Sequence, residues 1–102
     1  MKIFHWDSNT DGPLTETAMV NKLEQMGYRC TCYTYPEGTF FPDHAHETDK
    51  IDAVLKGRFR ISMENKSEVL ESGDYVVVPR GKLHSAEVVG DEPVVSIDAI
   101  KS

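Results

Sequence analysis

The chain after Gly27 is a series of short segments with β-strand character, and this series restricts the fold more than any other feature. The segments are separated by glycine, proline and other turn formers. They cover residues 28–36, 40–46, 50–56, 58–63, 68–71, 74–79, 84–90 and 93–100. Nothing between them is long enough for the helix of a parallel βαβ crossover. The pattern therefore predicts an all-β fold of antiparallel strands, either a sandwich or a barrel.

The first 27 residues have a different pattern. Apolar side chains near helical spacing predict one short helix: Leu14, Ala18, Met19, Leu23 and Met26. Asp11-Gly-Pro13 offers a start signal for this helix, and Gly27 is placed to end it. Residues 1–6 could add a strand. We expect residues 1–27 to form a strand and a helix packed on a barrel of residues 28–102, all within one domain.

Composition and charge exclude several classes of partner. The formal net charge of −6 argues against nucleic acid and anionic membranes. No apolar run approaches the ~20 residues of a membrane span, and the N-terminus has no signal-peptide pattern. Cys30 and Cys32 lie two apart on a predicted strand, where a disulfide would be strained. We interpret them as reduced thiols of a cytoplasmic protein; a Cys-x-Cys metal site lacks partners nearby.

Three histidines lie inside two glycine-bounded units of the predicted barrel. The first unit, residues 38–57, contains His44-Ala-His46, and the second, from Gly73, reaches His84. Side chains alternate along a strand, so the His-x-His pair is expected to direct both imidazoles to one face. A third imidazole from a distant strand could complete a three-nitrogen site. Such a site predicts a divalent transition metal, namely Zn, Fe, Ni, Mn or Cu.

The two units resemble the two sequence motifs of the cupin superfamily. The positions that match at the required spacings are Gly38, His44, His46 and Gly57 in the first motif, and Gly73, Pro79, Gly81 and His84 in the second. The resemblance implies a small single-domain cupin, an RmlC-like antiparallel jelly-roll β-barrel, with the three histidines as metal ligands. It indicates no single reaction, because this fold hosts enzymes, storage proteins and ligand sensors.

The chain departs from the family at two motif positions. Lys50 stands where the family places a metal-binding Glu, and Val88 stands where the second motif usually ends in Asn. A protonated lysine has three donors and no lone pair, so it cannot ligate a metal. The resemblance therefore implies three ligands rather than four. Among the nearby carboxylates Glu47, Asp49 and Asp52, only Asp52 shares the face of Lys50, so it could pair with the ammonium or replace the missing ligand.

Lys50 admits two interpretations. Its stem could pack along the barrel wall with its head at the mouth, or its ammonium could lie inside the cavity. The second arrangement would make the cavity strongly positive and favour a small anion, such as a carboxylate on the metal that also pairs with Lys50. Tyr33 and Tyr35 are interpreted first as barrel wall, with ligand lining as the alternative. Arg58 and Arg60 are interpreted as a solvated strand face.

Two functions from different classes remain open. In the first, the chain is a metal-dependent enzyme, a dioxygenase or an isomerase/lyase-like cupin, with Lys50 and Asp52 as candidate catalytic residues that orient the substrate. Three-histidine cupins include iron-dependent thiol dioxygenases, and this analogy implies oxygen chemistry. In the second, the chain is a non-catalytic cupin that binds or senses a small ligand, with a structural metal or none.

The N-terminal segment also predicts assembly. Residues 1–6 include Ile3, Phe4 and Trp6, which have no obvious partner in their own chain. Sheet edges need protection from uncontrolled pairing. We therefore expect a homodimer, with this segment pairing to the neighbour's sheet.

Overall fold

The computed structural model describes every residue from Met1 to Ser102 and contains nine strands and two short helices. The strands are β1 (Ile3–His5), β2 (Tyr28–Tyr35), β3 (Phe40–His44), β4 (Lys50–Lys56), β5 (Arg58–Met63), β6 (Lys66–Leu70), β7 (Asp74–Val78), β8 (His84–Val89) and β9 (Val94–Lys101). The helices α1 (Ser8–Asp11) and α2 (Glu16–Gln25) lie between β1 and β2. Neither helix has the length and apolar character needed to cross a membrane.

All strand pairs are antiparallel, and they form two sheets. The larger sheet has the order β1-β7-β4-β9-β2, and the smaller sheet has the order β3-β8-β5-β6. Apolar side chains of both sheets meet in one cluster between them. The predicted antiparallel jelly-roll β-barrel is confirmed.

The cluster between the sheets, here called the inner core, fills one end of the barrel. Val54 of β4, Ile61 of β5 and Val94 of β9 have no exposed surface there. Burying a side chain of this size contributes about 1.5–3 kcal/mol relative to leaving it in water. The inner core therefore closes this end and leaves room for polar side chains only towards the other.

A second apolar cluster, here called the outer core, covers the opposite face of the larger sheet. Met19 and Leu23 of α2 are fully buried against this face. The strands contribute Ile51 and Ala53 from β4 and Ile97 from β9, none of which is exposed. Helix α2 thus shields the outside of the sheet, and both faces of β4 and β9 are buried.

The helical region differs from the prediction in two ways. The sequence predicts one helix, whereas the structure has two, because the carboxylate of Asp7 accepts a backbone N–H of the first turn of α1 at 2.9 Å. Helix α2 begins at Glu16, later than the Asp11-Gly-Pro13 signal, because Thr15 Oγ1 accepts the N–H of Ala18 at 3.0 Å. These short-range caps set the helix starts.

Strand β1 belongs to the larger sheet of its own chain. Its register with β7 pairs Ile3 with Val76 and Phe4 with Tyr75, and the rings of Phe4 and Tyr75 stack at 5.2 Å between centroids. The prediction that residues 1–6 lack a partner in their own chain and pair with a neighbour's sheet is wrong. The partner strand is far along the chain, and a single sequence does not show such a pairing.

The turn between β4 and β5 depends on Gly57. Its φ is +84°, and a Cβ added there would overlap the carbonyl oxygen of Pro93. Only glycine fits this position, because other residues would combine an unfavourable φ with a steric clash. The motif glycine thus lets β4 turn sharply beside the start of β9.

Candidate metal centre

A β-bulge places His44 opposite His84. Strand β3 pairs Phe41 with Ala86 and then His44 with His84, so the register shifts between Phe41 and His44. An extra residue in one strand changes the face to which the following side chain points. Because of this shift, the end of β3 directs His44 towards the imidazole of His84, at 4.2 Å between ring centroids.

His46 lies outside the strand, which corrects the prediction of a strand over 40–46. Strand β3 ends at His44, so strand alternation does not place the second imidazole. Instead, the carbonyl of His46 accepts the N–H of Gly81 at 2.9 Å, which ties the two motif loops together. The ring of His46 then lies 5.0 Å from that of His44 and 5.2 Å from that of His84.

The three histidines form one group of potential ligands. Their candidate ligand atoms all lie within 4.8 Å of one another, and His84 is 1% exposed. The nearby carboxylates Glu47 and Asp49 are not part of this group; Asp49 Oδ1 instead accepts the N–H of Arg80 at 2.8 Å. The structure therefore brings together the three histidines predicted from the sequence and adds no carboxylate to them.

Backbone carbonyls set the tautomers of two imidazoles. His44 Nδ1 lies 2.7 Å from the carbonyl oxygen of Pro42, and His84 Nδ1 lies 3.0 Å from that of Lys82. A carbonyl can only accept, so each Nδ1 carries the proton and donates it. The lone pair of each ring is then on Nε2, the arrangement that metal-ligating histidines commonly show.

The ring nitrogens that face away from these backbone contacts, the Nε2 atoms, are suited to bind a metal. The Nε2 atoms of His46 and His84 are buried and have no hydrogen-bond partner. Leaving such a group unpaired costs about 1–3 kcal/mol, so an orphaned pair needs an explanation. Burial lowers the pKa of both imidazoles, and the charge of Lys50 lowers that of His46 further. The lowered pKa favours the neutral imidazole, which is the form that ligates transition ions.

A cavity of about 340 Å³ lies beside the three imidazoles. Its volume is that of about ten water molecules in the liquid, so it has room for a small organic molecule. Part of its wall is aromatic, formed by Tyr33, Tyr35, Phe41 and Phe59. Tyr33 and Tyr35 therefore line the cavity, as the alternative interpretation of the sequence has it.

The ammonium of Lys50 points into this cavity and pairs with two carboxylates. Lys50 Nζ lies 3.1 Å from Asp52 Oδ1 and also contacts Asp98 Oδ1. We call Lys50, Asp52 and Asp98 the charge triad. Burial lowers the pKa of Lys50, but the attraction of Asp52 and the hydrogen bond to Asp98 outweigh it, so the pKa is raised. Burial also raises the pKa of Asp52.

The charge triad shows what Asp52 contacts and where the ammonium of Lys50 lies, two points that the sequence left open. Asp52 pairs with the ammonium and lies outside the group of potential ligands, so it does not replace the missing Glu. Two carboxylates face the one ammonium of Lys50, so the charge of Lys50 itself is balanced inside the cavity.

Asp98 is the charged residue of the cavity that the sequence analysis does not identify. The register of β4 and β9 places it directly opposite Asp52. A signal was present, since Asp98 is a charged residue between Ile97 and Ala99, both of which are fully buried in a strand. Its partner strand could not be read from the sequence, so nothing connected it with Lys50.

Two other candidates lie elsewhere. Cys30 and Cys32 are free and half-buried at the outer core, where burial raises the pKa of each thiol. Arg60 pairs with Glu87 at 2.5 Å on the half-exposed side of the smaller sheet. Neither feature contributes to the cavity.

Comparison with known proteins agrees with this geometry. The family model of the cupin domain matches residues 32–100. A nitrosourea synthase of Streptomyces achromogenes subsp. streptozoticus is 32% identical over 66 residues, which are 64% of this chain and 14% of that protein. The chain thus spans about one seventh of the length of this relative.

Solved structures of cupin-fold proteins superpose on the chain. KdgF from Halomonas sp. has a TM-score of 0.66 and 27% identity, covering 72% of this chain and 68% of that one. The DMSP lyase DddQ from Ruegeria pomeroyi has a TM-score of 0.63 and 22% identity over 74% of this chain and 47% of that one, a likeness of fold alone. With the family match over residues 32–100 and the three-histidine jelly roll, the chain belongs to the cupin family.

Proposed function

We propose that this cupin domain is a small metal-dependent enzyme that acts on an organic acid. His44, His46 and His84 would hold one divalent ion of Zn, Fe, Ni, Mn or Cu. The observation that carries the proposal is the pair of buried, unpartnered Nε2 atoms on His46 and His84 beside a cavity of about 340 Å³. Bound there, the ion supplies Lewis acidity or oxygen activation. Three protein ligands leave room beside them for the acid group of a substrate.

Lys50 and Asp52 are proposed to orient the substrate. An ammonium has three N–H donors, and the ion pairs of Lys50 with Asp52 and Asp98 engage two of them. The third donor is available for a substrate oxygen in the cavity. Asp52 is buried, with its side chain 9% exposed, so its role is to hold the ammonium in place.

The name of one similar protein supports an enzyme: the relative that is 32% identical over 66 residues is a nitrosourea synthase. Within the proposal, the reaction is that of a dioxygenase or of an isomerase/lyase-like cupin.

A non-catalytic cupin that binds or senses a small ligand is the second candidate. The observation in its favour is the replacement of a fourth protein ligand by Lys50, whose charge is already paired inside the cavity. Turnover separates the two functions. Small carboxylic acids are incubated with the iron- or zinc-loaded protein in air, and products are sought by mass spectrometry; binding without product favours the second candidate.

The metal site is tested first, by elemental analysis of protein purified without a histidine tag. The expected result is one equivalent of transition metal in the wild type and little in His46→Ala, because a ligand is lost. His5→Ala is the matched control, since His5 is 72% exposed on β1 and pairs with Asp74. Equal metal content in the wild type and His46→Ala would show that the site is misplaced. Light scattering on the same samples tests the predicted homodimer.

A further inference from the structure

Strand β2 is a long sheet edge without the usual protection against further pairing. It lies at one end of the larger sheet, and all eight of its residues pair with β9 in an unbroken register. Exposed edges are normally very short or carry a proline, a bulge or a lysine. The other three edges follow this rule, since β1 has three residues, β3 has Pro42 and a bulge, and β6 has Lys66. Strand β2 has none of these features.

The hydrogen bonds of the C-terminus show which backbone groups of β2 face away from β9, on the side here called the open edge. The N–H of Ser102 donates to the carbonyl oxygen of Gly27 at 2.9 Å, which extends the β2–β9 ladder by one pair. In an antiparallel ladder, hydrogen-bonded pairs alternate with pairs that are not hydrogen-bonded. Odd-numbered residues of β2 therefore direct N–H and C=O towards β9. The even-numbered residues, which direct theirs to the open edge, are Tyr28, Cys30, Cys32 and Thr34.

The backbone groups at the open edge have no strand beside them. Strand β9 is the one neighbour of β2 in its sheet, and no backbone hydrogen bond of a turn or loop reaches residues 28–35. Each outward residue thus offers one donor and one acceptor. The side chains of β2 are tyrosine, threonine and cysteine, with Arg29 as the only charge, and such residues favour strand pairing. The open edge is therefore suited to a further strand.

A second copy of β2 matches the open edge. A strand that pairs antiparallel with its own copy is related to it by a two-fold axis, the commonest symmetry of oligomers. Hydrogen-bonded pairs form only where outward residues face outward residues. One register engages all four of them: Tyr28 lies opposite Thr34 and Cys30 opposite Cys32, with Thr31 on the axis. Each facing pair exchanges two hydrogen bonds, about eight in all, within the range of a typical protein–protein interface.

The neighbouring registers fit less well. A shift in one direction sets Tyr28 opposite Pro36, which has no N–H to donate. A shift in the other direction leaves Thr34 opposite Met26, which lies outside the strand. In the register that engages all outward residues, Arg29 faces Tyr33 of the partner subunit, so no like charges meet. A guanidinium beside an aromatic ring is a favourable contact.

We infer that the chain forms a two-fold dimer through β2, in which the two larger sheets join into one continuous sheet. The partner then contributes to the site, because Tyr33 lines the cavity beside the three histidines. The partner's Arg29 lies next to this ring and extends the rim of the cavity. The inference goes beyond the proposed function and does not depend on a bound metal, so its tests use protein treated with a chelator.

A substitution at the open edge tests the surface. Thr34→Pro removes an N–H that has no partner within the chain, so the barrel should remain folded by circular dichroism. In the dimer it removes two of the hydrogen bonds, and the dissociation constant measured by analytical ultracentrifugation should rise at least about tenfold. Thr34→Ala is the matched control. It keeps the N–H, so its dissociation constant should stay within about twofold of the wild type.

The two cysteines test the register. Cα atoms of a hydrogen-bonded pair lie ~5.5 Å apart, within the range of a disulfide. Cys30→Ser and Cys32→Ser each leave one thiol per chain, which excludes a disulfide within the chain. Neither variant should crosslink alone, because its remaining thiol faces a serine. Mixed and left to exchange, the two variants should form a disulfide-linked dimer in up to about half of the chains.

Diamide is the oxidant for this experiment, and it takes up the two electrons and two protons that a pair of thiols releases. The reaction is run at about pH 9, because burial raises the pKa of both thiols and the thiolate is the reactive form. The product is detected on a non-reducing gel. If Thr34→Pro does not fold, the crosslink in the mixed sample decides the test.

Three outcomes overturn the inference and leave the proposed metal site untouched. The first is the mass of a monomer for the wild type at micromolar concentration. The second is a dimer that Thr34→Pro does not weaken or a mixed sample that does not crosslink, because another surface then holds the copies together. The third is a crosslink in Cys30→Ser or Cys32→Ser alone, which would set a cysteine opposite its own copy and exclude the register that brings the partner's Arg29 to Tyr33.

Discussion

The two faces of β4 are both buried, yet they have opposite chemistry. Ile51 and Ala53 face the outer core under α2 and have no exposed surface. Lys50 and Asp52, one position away along the strand, face the barrel and carry charges. Burial of apolar surface stabilises the first face, whereas burial of charges at the second contributes little or costs stability. The outer face therefore holds the fold together, and the inner face is where the proposed binding site lies.

The inner face itself changes along the strands. On β9, Asp98 lies at the cavity, Ser96 donates its hydroxyl to the carbonyl of Ala53 at 3.0 Å, and Val94 belongs to the inner core. Polar groups are thus confined to the end of the barrel that holds the three histidines. Because the apolar end and the outer core supply the packing, the polar end can tolerate a net charge.

Removing the ammonium of the triad should have the largest effect on stability. In Lys50→Met, Asp52 and Asp98 face each other with no cation between them, so the free energy of unfolding should fall by about 3–5 kcal/mol at neutral pH. Urea unfolding followed by circular dichroism measures this change. The loss should shrink as the pH falls, because Asp52, whose pKa is raised by burial, then binds a proton and no longer repels Asp98.

The complete apolar replacement is the matched comparison. Lys50→Met combined with Asp52→Leu and Asp98→Leu removes all three charges, and its stability should equal or exceed that of the wild type. That result would show that the triad is retained for binding rather than for stability. Wild-type stability in Lys50→Met alone would contradict the argument, since it would mean that water already screens the two carboxylates.

A substitution in the outer core should have the next largest effect, on stability alone. Leu23→Ala leaves a cavity under α2 and should lower the free energy of unfolding by about 3 kcal/mol. Zinc affinity, measured by calorimetry below the unfolding range, should not change, because the outer core is on the other side of the larger sheet. Met26→Ala is the control, since Met26 is 40% exposed, and its effect should stay within about 0.5 kcal/mol. Weaker zinc binding in Leu23→Ala would show that the two faces are coupled.

The sequence predicts those features of the fold and the site that depend on residues close together along the chain. Strand positions, turn glycines and the outer helix follow from local patterns, so β4 and β5 have the predicted bounds. His44, His46 and His84 were predicted because motif spacing carries their relation along the chain. These features depend on neighbours in sequence.

Features that depend on strand pairing were missed. Asp98 meets Asp52 only through the register of β4 and β9, and β1 finds its partner only through β7. The sequence indicates only Asp52 as a possible partner of Lys50, so the second carboxylate that faces the ammonium is not predicted. The position of His46 likewise depends on a backbone hydrogen bond from Gly81 rather than on strand alternation.

The smallest predicted effect is a change in the pKa of Tyr35, which reports how close the charge triad lies to the aromatic wall of the cavity. Burial, then the charges of Asp98 and Asp52, raises the pKa of Tyr35 to about 12. Since this pKa lies above the ordinary value of 10.0, the stabilisation it reflects is fully present below pH 10 and is lost as the pH rises through 12.

The difference in phenolate absorbance between the wild type and Tyr35→Phe isolates this titration. In Asp98→Asn the midpoint should move down, because a nearby negative charge no longer opposes the phenolate. Glu68→Gln, on the exposed strand β6, should not move it. A wild-type midpoint near 10 would place the hydroxyl of Tyr35 in open solvent, so that Tyr35 could not form the wall beside Asp98.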